Sequence, residues 1–279
     1  MIPLIEHLTS AKNPRVLAWR SLKERKGRLA HEAFLAEGDR MAAEALASGF
    51  PVEALLLRSD RFQELSGSTA DSASSLPQEE KADQRIRLAE LPPELPVFVL
   101  PDHVFASLSD TRTPQGVAAV VSLRPRPLRG SRFIALDGVQ DPGNVGTILR
   151  TADAAGLDGV LLSPECADVF SPKVLRATMG SIFHLPLTVT DDLPGELAAR
   201  RDAGMDILSS QLDGSPFRAY APNPQGYVLV IGSEGNGVTD AVRALATHRL
   251  RLPMRGRAES LNAAVAAGIM MYQLTEELG

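Results

Sequence analysis

The feature that most narrows the possible folds is a series of short, almost unbroken apolar runs in the second half of the chain. They are RFIALDGV (132–139), GVLLS (159–163), MDILSS (205–210), YVLVIG (227–232) and HRLRLP (248–253), separated by stretches of helical periodicity. A strand covered on one face alternates apolar and polar residues. A run such as YVLVI does not alternate, so both of its faces are expected to be buried, as in a parallel sheet with helices on either side. Strands of this kind alternating with helices predict an α/β layer with a mostly parallel sheet, ending in a long helix from Ser260.

A smaller α/β rhythm precedes it. Asn13-Pro14 opens a basic helix over 15–30; strands follow at 33–38, 52–58, 96–100 and 115–123, with helices at 39–49 and around 102–108. The prolines and glycine of RPRPLRGS mark a linker at 124–131. The 279 residues therefore divide into a small α/β domain at 1–123, the linker, and a larger domain at 132–279. Within the first, SGSTADSASSLPQEEKADQ is rich in serine, alanine and acid, so 66–85 reads as a flexible surface insertion.

The net charge of −5 excludes a protein that coats nucleic acid indiscriminately, because phosphate binding is carried by clustered lysine and arginine. Local clusters do exist. Lys12, Arg15, Arg20, Lys23, Arg25, Lys26 and Arg28 stand against Glu24 alone, and Arg124, Arg126, Arg129 and Arg132 follow at the linker. Binding to nucleic acid is expected to be confined to these patches. The lone Cys166 cannot form an internal disulfide, and the five histidines show no metal-ligand spacing, so no metal is expected. No apolar run reaches the length of a membrane span, and the expectation is a cytoplasmic chain.

Chemistry in open parallel sheets gathers beyond the carboxyl ends of the strands. Three junctions there are rich in glycine and asparagine. DGVQDPGNVGTILRTADAAG (137–156) runs from strand through turn to helix, with Val145, Ile148, Leu149, Ala152 and Ala155 on the buried side and Arg150 off it. VIGSEGNGV (230–238) spaces its glycines as GxxGxG, which is neither the dinucleotide fingerprint nor a phosphate-binding P-loop. In LPMRGRAESLNAAVAAGIMMYQL (252–274), Ser260 is the expected N-cap, Leu261, Ala264, Val265, Gly268, Ile269 and Tyr272 form an apolar stripe, and the small residues at 263, 264, 266, 267 and 268 suit close packing in a core or against a second subunit.

Together NVGTILR (144–150), IGSEGNG (231–237) and LPMRGRAESLN (252–262) resemble, in order and spacing, the three motifs of the SpoU/TrmH family of RNA ribose 2′-O-methyltransferases. LTSAKNPRV, LKERKG and FLAEGDRMAAEAL resemble the small substrate-binding domain that precedes the catalytic domain in many members. The resemblance implies an α/β trefoil-knot catalytic domain acting as a homodimer, with S-adenosylmethionine as methyl donor and structured RNA as substrate. Ribosomal RNA is the first expectation, transfer RNA or a non-catalytic RNA-binding protein the alternatives. By motif position it implies active-site roles for Asn144, Arg150, Glu234, Ser260 and Asn262, and cofactor contacts from Gly232, Leu252, Met254, Gly256, Ser260, Leu261 and Asn262. The basic residues of 12–28, with Arg124, Arg126 and Arg129, would contact RNA. Asn262 is followed by two alanines where many members carry Val-Ser.

Overall fold

Strands read from the apolar runs assemble into two separate sheets in the computed structural model, which describes residues 4–67, 86–124 and 126–276. Most of the 66–85 insertion thus lies outside the described residues. The chain divides into two units, one made of Met1–Arg124 with Phe170–Phe183, the other of Pro125–Val169 with His184–Gly279.

In the first unit the strands are β1 (Ile5–His7), β2 (Ala33–Glu37), β3 (Val52–Arg58), β4 (Val97–Leu100) and β5 (Val117–Ser122), in the order β1-β4-β3-β5-β2. β1 and β3 run parallel to β4, while β5 is antiparallel to β3 and β2. Helices α1 (Pro14–Ser21), α2 (Arg25–His31), α3 (Asp39–Ala47), α4 (Ser59–Gly67) and α5 (Asp102–Leu108) complete the layer. Val16, Trp19 and Leu22 pack with Leu56, Phe98 and Leu100, and the Trp19 and Phe98 rings lie 5.0 Å apart.

The single basic helix expected over 15–30 is two helices. A Cβ on Gly27 would stand 2.0 Å from the Ser21 carbonyl oxygen, so glycine lets the chain fold back on the end of α1. The last carbonyls of a helix lack helical donors. Arg28 serves the carbonyls that follow α1, its Nη1 donating to Leu22 O and Lys23 O, each at 2.7 Å. Periodicity alone cannot see a break stabilised by a side chain six residues away.

In the second half the elements are β6 (Arg132–Asp137), α6 (Pro142–Ala154), β7 (Gly159–Leu162), α7 (Pro172–Thr178), β8 (Leu187–Val189), α8 (Leu193–Asp202), β9 (Asp206–Pro216), β10 (Tyr227–Gly232), α9 (Asp240–Leu245), β11 (His248–Arg251) and α10 (Ala263–Glu276). The strands form one sheet in the order β11-β9-β10-β6-β7-β8, and every neighbouring pair is parallel. Central β6 and β10 are buried along nearly their whole length, as their unbroken apolar sequences require. α7 belongs to the first unit, where Phe170 and Phe183 stand 5.0 and 6.1 Å from Phe34.

α10 begins at Ala263 instead of Ser260. Asn262 is its cap: the Oδ1 accepts from Ala264 N at 2.9 Å and Val265 N at 3.2 Å. The face turned inward carries Ala264, Ala267, Met270, Met271 and Leu274. Most of the stripe read from the sequence faces outward, with Val265 51% and Tyr272 45% exposed. A helix apolar nearly all round leaves its 3.6-residue period unable to choose the inner face. Among the described residues, no helix is long and apolar enough to cross a membrane.

Candidate active site at the carboxyl end of the parallel sheet

Parallel strands deliver their carboxyl ends to one edge, and here that edge receives the starts of α6 and α10 and the loop after β10. β6 ends on Asp137, which is 5% exposed; its Oδ2 accepts from Thr239 N at 2.6 Å, fixing the loop after β10 to the neighbouring strand. Asp141 caps α6 by accepting from Asn144 N at 2.8 Å, and Pro142 sits in the first turn, where no amide donor is missed. This holds the Asn144 carboxamide toward the other two junctions.

Asn144 Nδ2 donates to Glu234 Oε1 at 2.7 Å, and Asn144 Oδ1 accepts from Asn262 Nδ2 at 2.9 Å. Asn262 in turn receives the first amides of α10. One residue from each of the three motifs thus joins a single hydrogen-bonded relay that ends on a helix N-terminus. Glu234 is exposed, and its carboxylate is the acceptor at the other end of the relay.

Beside the relay lies a cleft of about 690 Å³. Its wall includes residues 231–238, together with Leu252, Met254, Ser260, Leu261 and Asn262. The 231–238 wall is a closed turn: Ser233 and Gly237 exchange both backbone hydrogen bonds, at 3.0 and 2.9 Å, with Gly237 at φ +69°. Gly232 has a different reason from the one ligand approach would supply. A Cβ there would meet the Gly237 carbonyl carbon at 2.1 Å, so the loop's own return requires the glycine.

Not every residue implied by the resemblance reaches this cleft. Gly256 is not in the wall and has open space around its α-carbon. Arg150 is exposed one and a half turns beyond Asn144, forms no hydrogen bond or ion pair among the described residues, and is not in the wall either. Of the basic residues, Lys12, Arg20, Arg25, Lys26, Arg124 and Arg129 are exposed, and Lys23 is half-buried. Arg15 is paired with Glu6 at 2.6 Å and lies over the Phe98 ring. Arg126 is partly buried, which pulls its guanidinium pKa down. Arg28 is 3% exposed and holds the α1–α2 turn, so its charge is not presented to a ligand. Sequence reading missed Asp137 and Asp141, which are fixed by contacts and not by motif, and it missed the part of β9 that enters the cleft: Ser210, Gln211 and Asp213. The Asp213-Gly214 pair was the available signal, since aspartate before glycine marks a departure from a strand.

Residues 131–272 match the SpoU rRNA Methylase family, spanning the sheet, the relay and the cleft. The chain belongs to the SpoU family. Residues 13–119 match the MRM3-like substrate binding domain. Among SpoU-family relatives, the Bacillus subtilis 23S rRNA (guanosine(2553)-2′-O)-methyltransferase RlmP is 35% identical over 272 residues, covering 97% of this chain and 99% of the relative. The AdoMet-bound rRNA methyltransferase from Sinorhizobium meliloti is 30% identical with a TM-score of 0.79, covering 98% of each chain. The SpoU methyltransferase AviRb from Streptomyces viridochromogenes, solved with AdoMet, is 29% identical with a TM-score of 0.79, covering 96% of this chain and 98% of AviRb.

Proposed function

We propose that this SpoU-family chain transfers a methyl group from S-adenosylmethionine to a ribose 2′-hydroxyl of structured RNA, and that the RNA is ribosomal. The observation that carries the reading is the relay from Glu234 through Asn144 to Asn262 at the wall of a cleft. A volume of about 690 Å³ falls within the usual range of small-molecule sites. Leu252, Met254 and Leu261 offer apolar surface to an adenine, and the turn after β10 offers backbone groups, so the residues present fit the cofactor.

S-adenosylmethionine, when bound, supplies an electrophilic methyl group on a sulfonium. The protein has to orient the ribose, assist loss of the hydroxyl proton and stabilise the developing negative charge. Gly232, Leu252 and Leu261 hold the adenosine part through their backbone, Asn144 and Asn262 orient the ribose and loops, and Glu234 and Ser260 keep the site's hydrogen bonds. An arginine side chain retains its proton at physiological pH and is a poor base. Arg150 therefore clamps a phosphate or ribose and stabilises the alkoxide as it forms.

We infer a homodimer through the second unit. Leu261 and Val265, Ile269 and Tyr272 of α10 are exposed at 38%, 51%, 40% and 45%, a continuous apolar strip that a second copy would cover symmetrically. Arg150 is on α6, against which α10 packs, with Gly268 beside the Thr151 methyl. The strip thus runs near Arg150, which like Asn144 is an implied active-site residue outside the cleft wall. The passage from edge strand β11 past the 231–238 turn to α10 is read as the threading of the trefoil knot. Lys12, Arg20, Arg25, Lys26 and Arg124 of the first unit contact RNA, as does Arg129 of the second, and with a ribosomal RNA substrate the enzyme is expected in the cytoplasm.

The test is incubation with labelled S-adenosylmethionine and separate pools of ribosomal and transfer RNA, followed by digestion and mass spectrometry. The expected result is a 2′-O-methylated nucleotide in ribosomal RNA. Methyl transfer to a base, or to no RNA despite cofactor binding, overturns the reading. Near-normal turnover of Arg150→Lys counts against a bidentate clamp.

A further inference from the structure

One wall of the cleft comes from outside the three motifs. β9 and β11 pair with Arg249 beside Ser209, then with Leu250 beside Ser215. Consecutive residues of β11 thus face residues six apart on β9, and residues 210–214 leave the ladder between them. Both ends of this excursion are fixed. Gln211 Nε2 donates to Ser209 Oγ at 2.7 Å where it departs, and at its return Gly214 lies so close to β11 that a Cβ would stand 2.6 Å from the Arg249 carbonyl carbon. The result carries Asp213 to the cleft wall, exposed and, among the described residues, without a hydrogen bond or ion pair.

The other charges of the wall are engaged. Glu234 accepts from Asn144; Arg243 is paired with Asp240 at 3.1 Å and donates to Val238 O at 3.3 Å. With Asp213, Glu234 and Arg243, the wall carries a net negative charge; neither carboxylate is paired with a cation among the described residues, and Asp213 is the one whose oxygens accept no hydrogen bond. S-adenosylmethionine bears a sulfonium, an ammonium and a carboxylate, and is a net cation. Its product, S-adenosylhomocysteine, has lost the sulfonium charge and is net neutral. A carboxylate in the cleft wall interacts more favourably with the first than with the second.

We propose that Asp213 makes the cleft select the cationic methyl donor over its neutral thioether product, so that loss of the methyl group also loosens the product. The proposal rests on the cofactor reading above and adds to it a residue and a selectivity. Calorimetric titration of the full chain with S-adenosylmethionine, S-adenosylhomocysteine and sinefungin, which carries an amine in place of the methylsulfonium, tests it. In Asp213→Asn, Kd for the two cationic ligands rises about tenfold, while Kd for the thioether stays within about twofold; Asp213→Glu restores the preference. Equal weakening of all three ligands overturns the proposal in favour of a hydrogen bond to the shared adenosyl or amino acid part, and no change for any of them overturns it outright. Wild-type protein that binds none of the three instead overturns the cofactor reading itself.

Discussion

The polar junctions of the second unit and the basic segment of the first unit were equally prominent in the sequence and behave in opposite ways once folded. Asn144, Glu234 and Asn262 lie as much as 118 positions apart and end in one chain of hydrogen bonds. The seven basic residues between Lys12 and Arg28 are neighbours in sequence and disperse: Arg28 turns inward, Arg15 lies on Glu6 and Phe98, and Lys12, Arg20, Arg25 and Lys26 face solvent. Parallel strands bring distant junctions to one edge, whereas a helix turns successive side chains away from one another by about 100°. Closeness along the chain is thus the weaker guide to a shared site.

The contrast can be broken most sharply at the centre of the relay. Asn144→Ala removes both of its side-chain bonds and should lower kcat/KM by about 100-fold or more, with a stability loss near 1 kcal/mol because the site is open to water. A fall of less than about tenfold would mean the three motifs meet without acting together. In the basic segment the largest effect should be on folding. Arg28→Leu leaves the Leu22 and Lys23 carbonyls without their charged donor and should cost about 2–4 kcal/mol in urea unfolding, with the salt dependence of RNA affinity unchanged. A reduced salt slope with intact stability would return Arg28 to the binding surface. Arg25→Ala with Lys26→Ala should do the reverse: RNA affinity weakens, the slope of log K against log salt falls by roughly 1.5, and stability stays within about 0.5 kcal/mol.

The smallest effect belongs to the end of β10 remote from the cleft. Tyr227 is fully buried, and its hydroxyl has no hydrogen-bond partner among the described residues; burial pushes its pKa up to about 12. The neutral phenol's contribution to stability is complete below the unfolded value of about 10 and is lost as pH rises from there toward 12. Tyr227→Phe should leave methyl transfer unchanged, alter neutral-pH stability by no more than about 1 kcal/mol, and remove that part of the alkaline loss in thermal scans between about pH 10 and 12.

Parts of this architecture were legible before any coordinates. Unbroken apolar runs identify β6 and β10 as central parallel strands, because a strand with two covered faces has no position for a polar residue. Asn144, Glu234 and Asn262 stood out through their positions in the three motifs that resemble the SpoU/TrmH family. Other features resisted. The inner face of α10 was misread because Val265, Ile269 and Tyr272 are as apolar as the Met270 and Met271 that are buried in their stead. The cap assigned to Ser260 belongs to Asn262, since either residue type can accept the first amides and only the path of the chain decides.

The sequence by itself determined the strand character of the second half, the glycine-rich turns and the identity of the polar groups, all of which depend on a residue and its near neighbours. Tertiary structure alone decided that Arg28 closes a turn, that Phe170–Phe183 packs with the first unit, and that β9 leaves its ladder to bring Asp213 to the cleft. Those outcomes depend on which strand lies beside which and which carbonyls are left unsatisfied, and such conditions exist only once the chain has closed its long-range contacts.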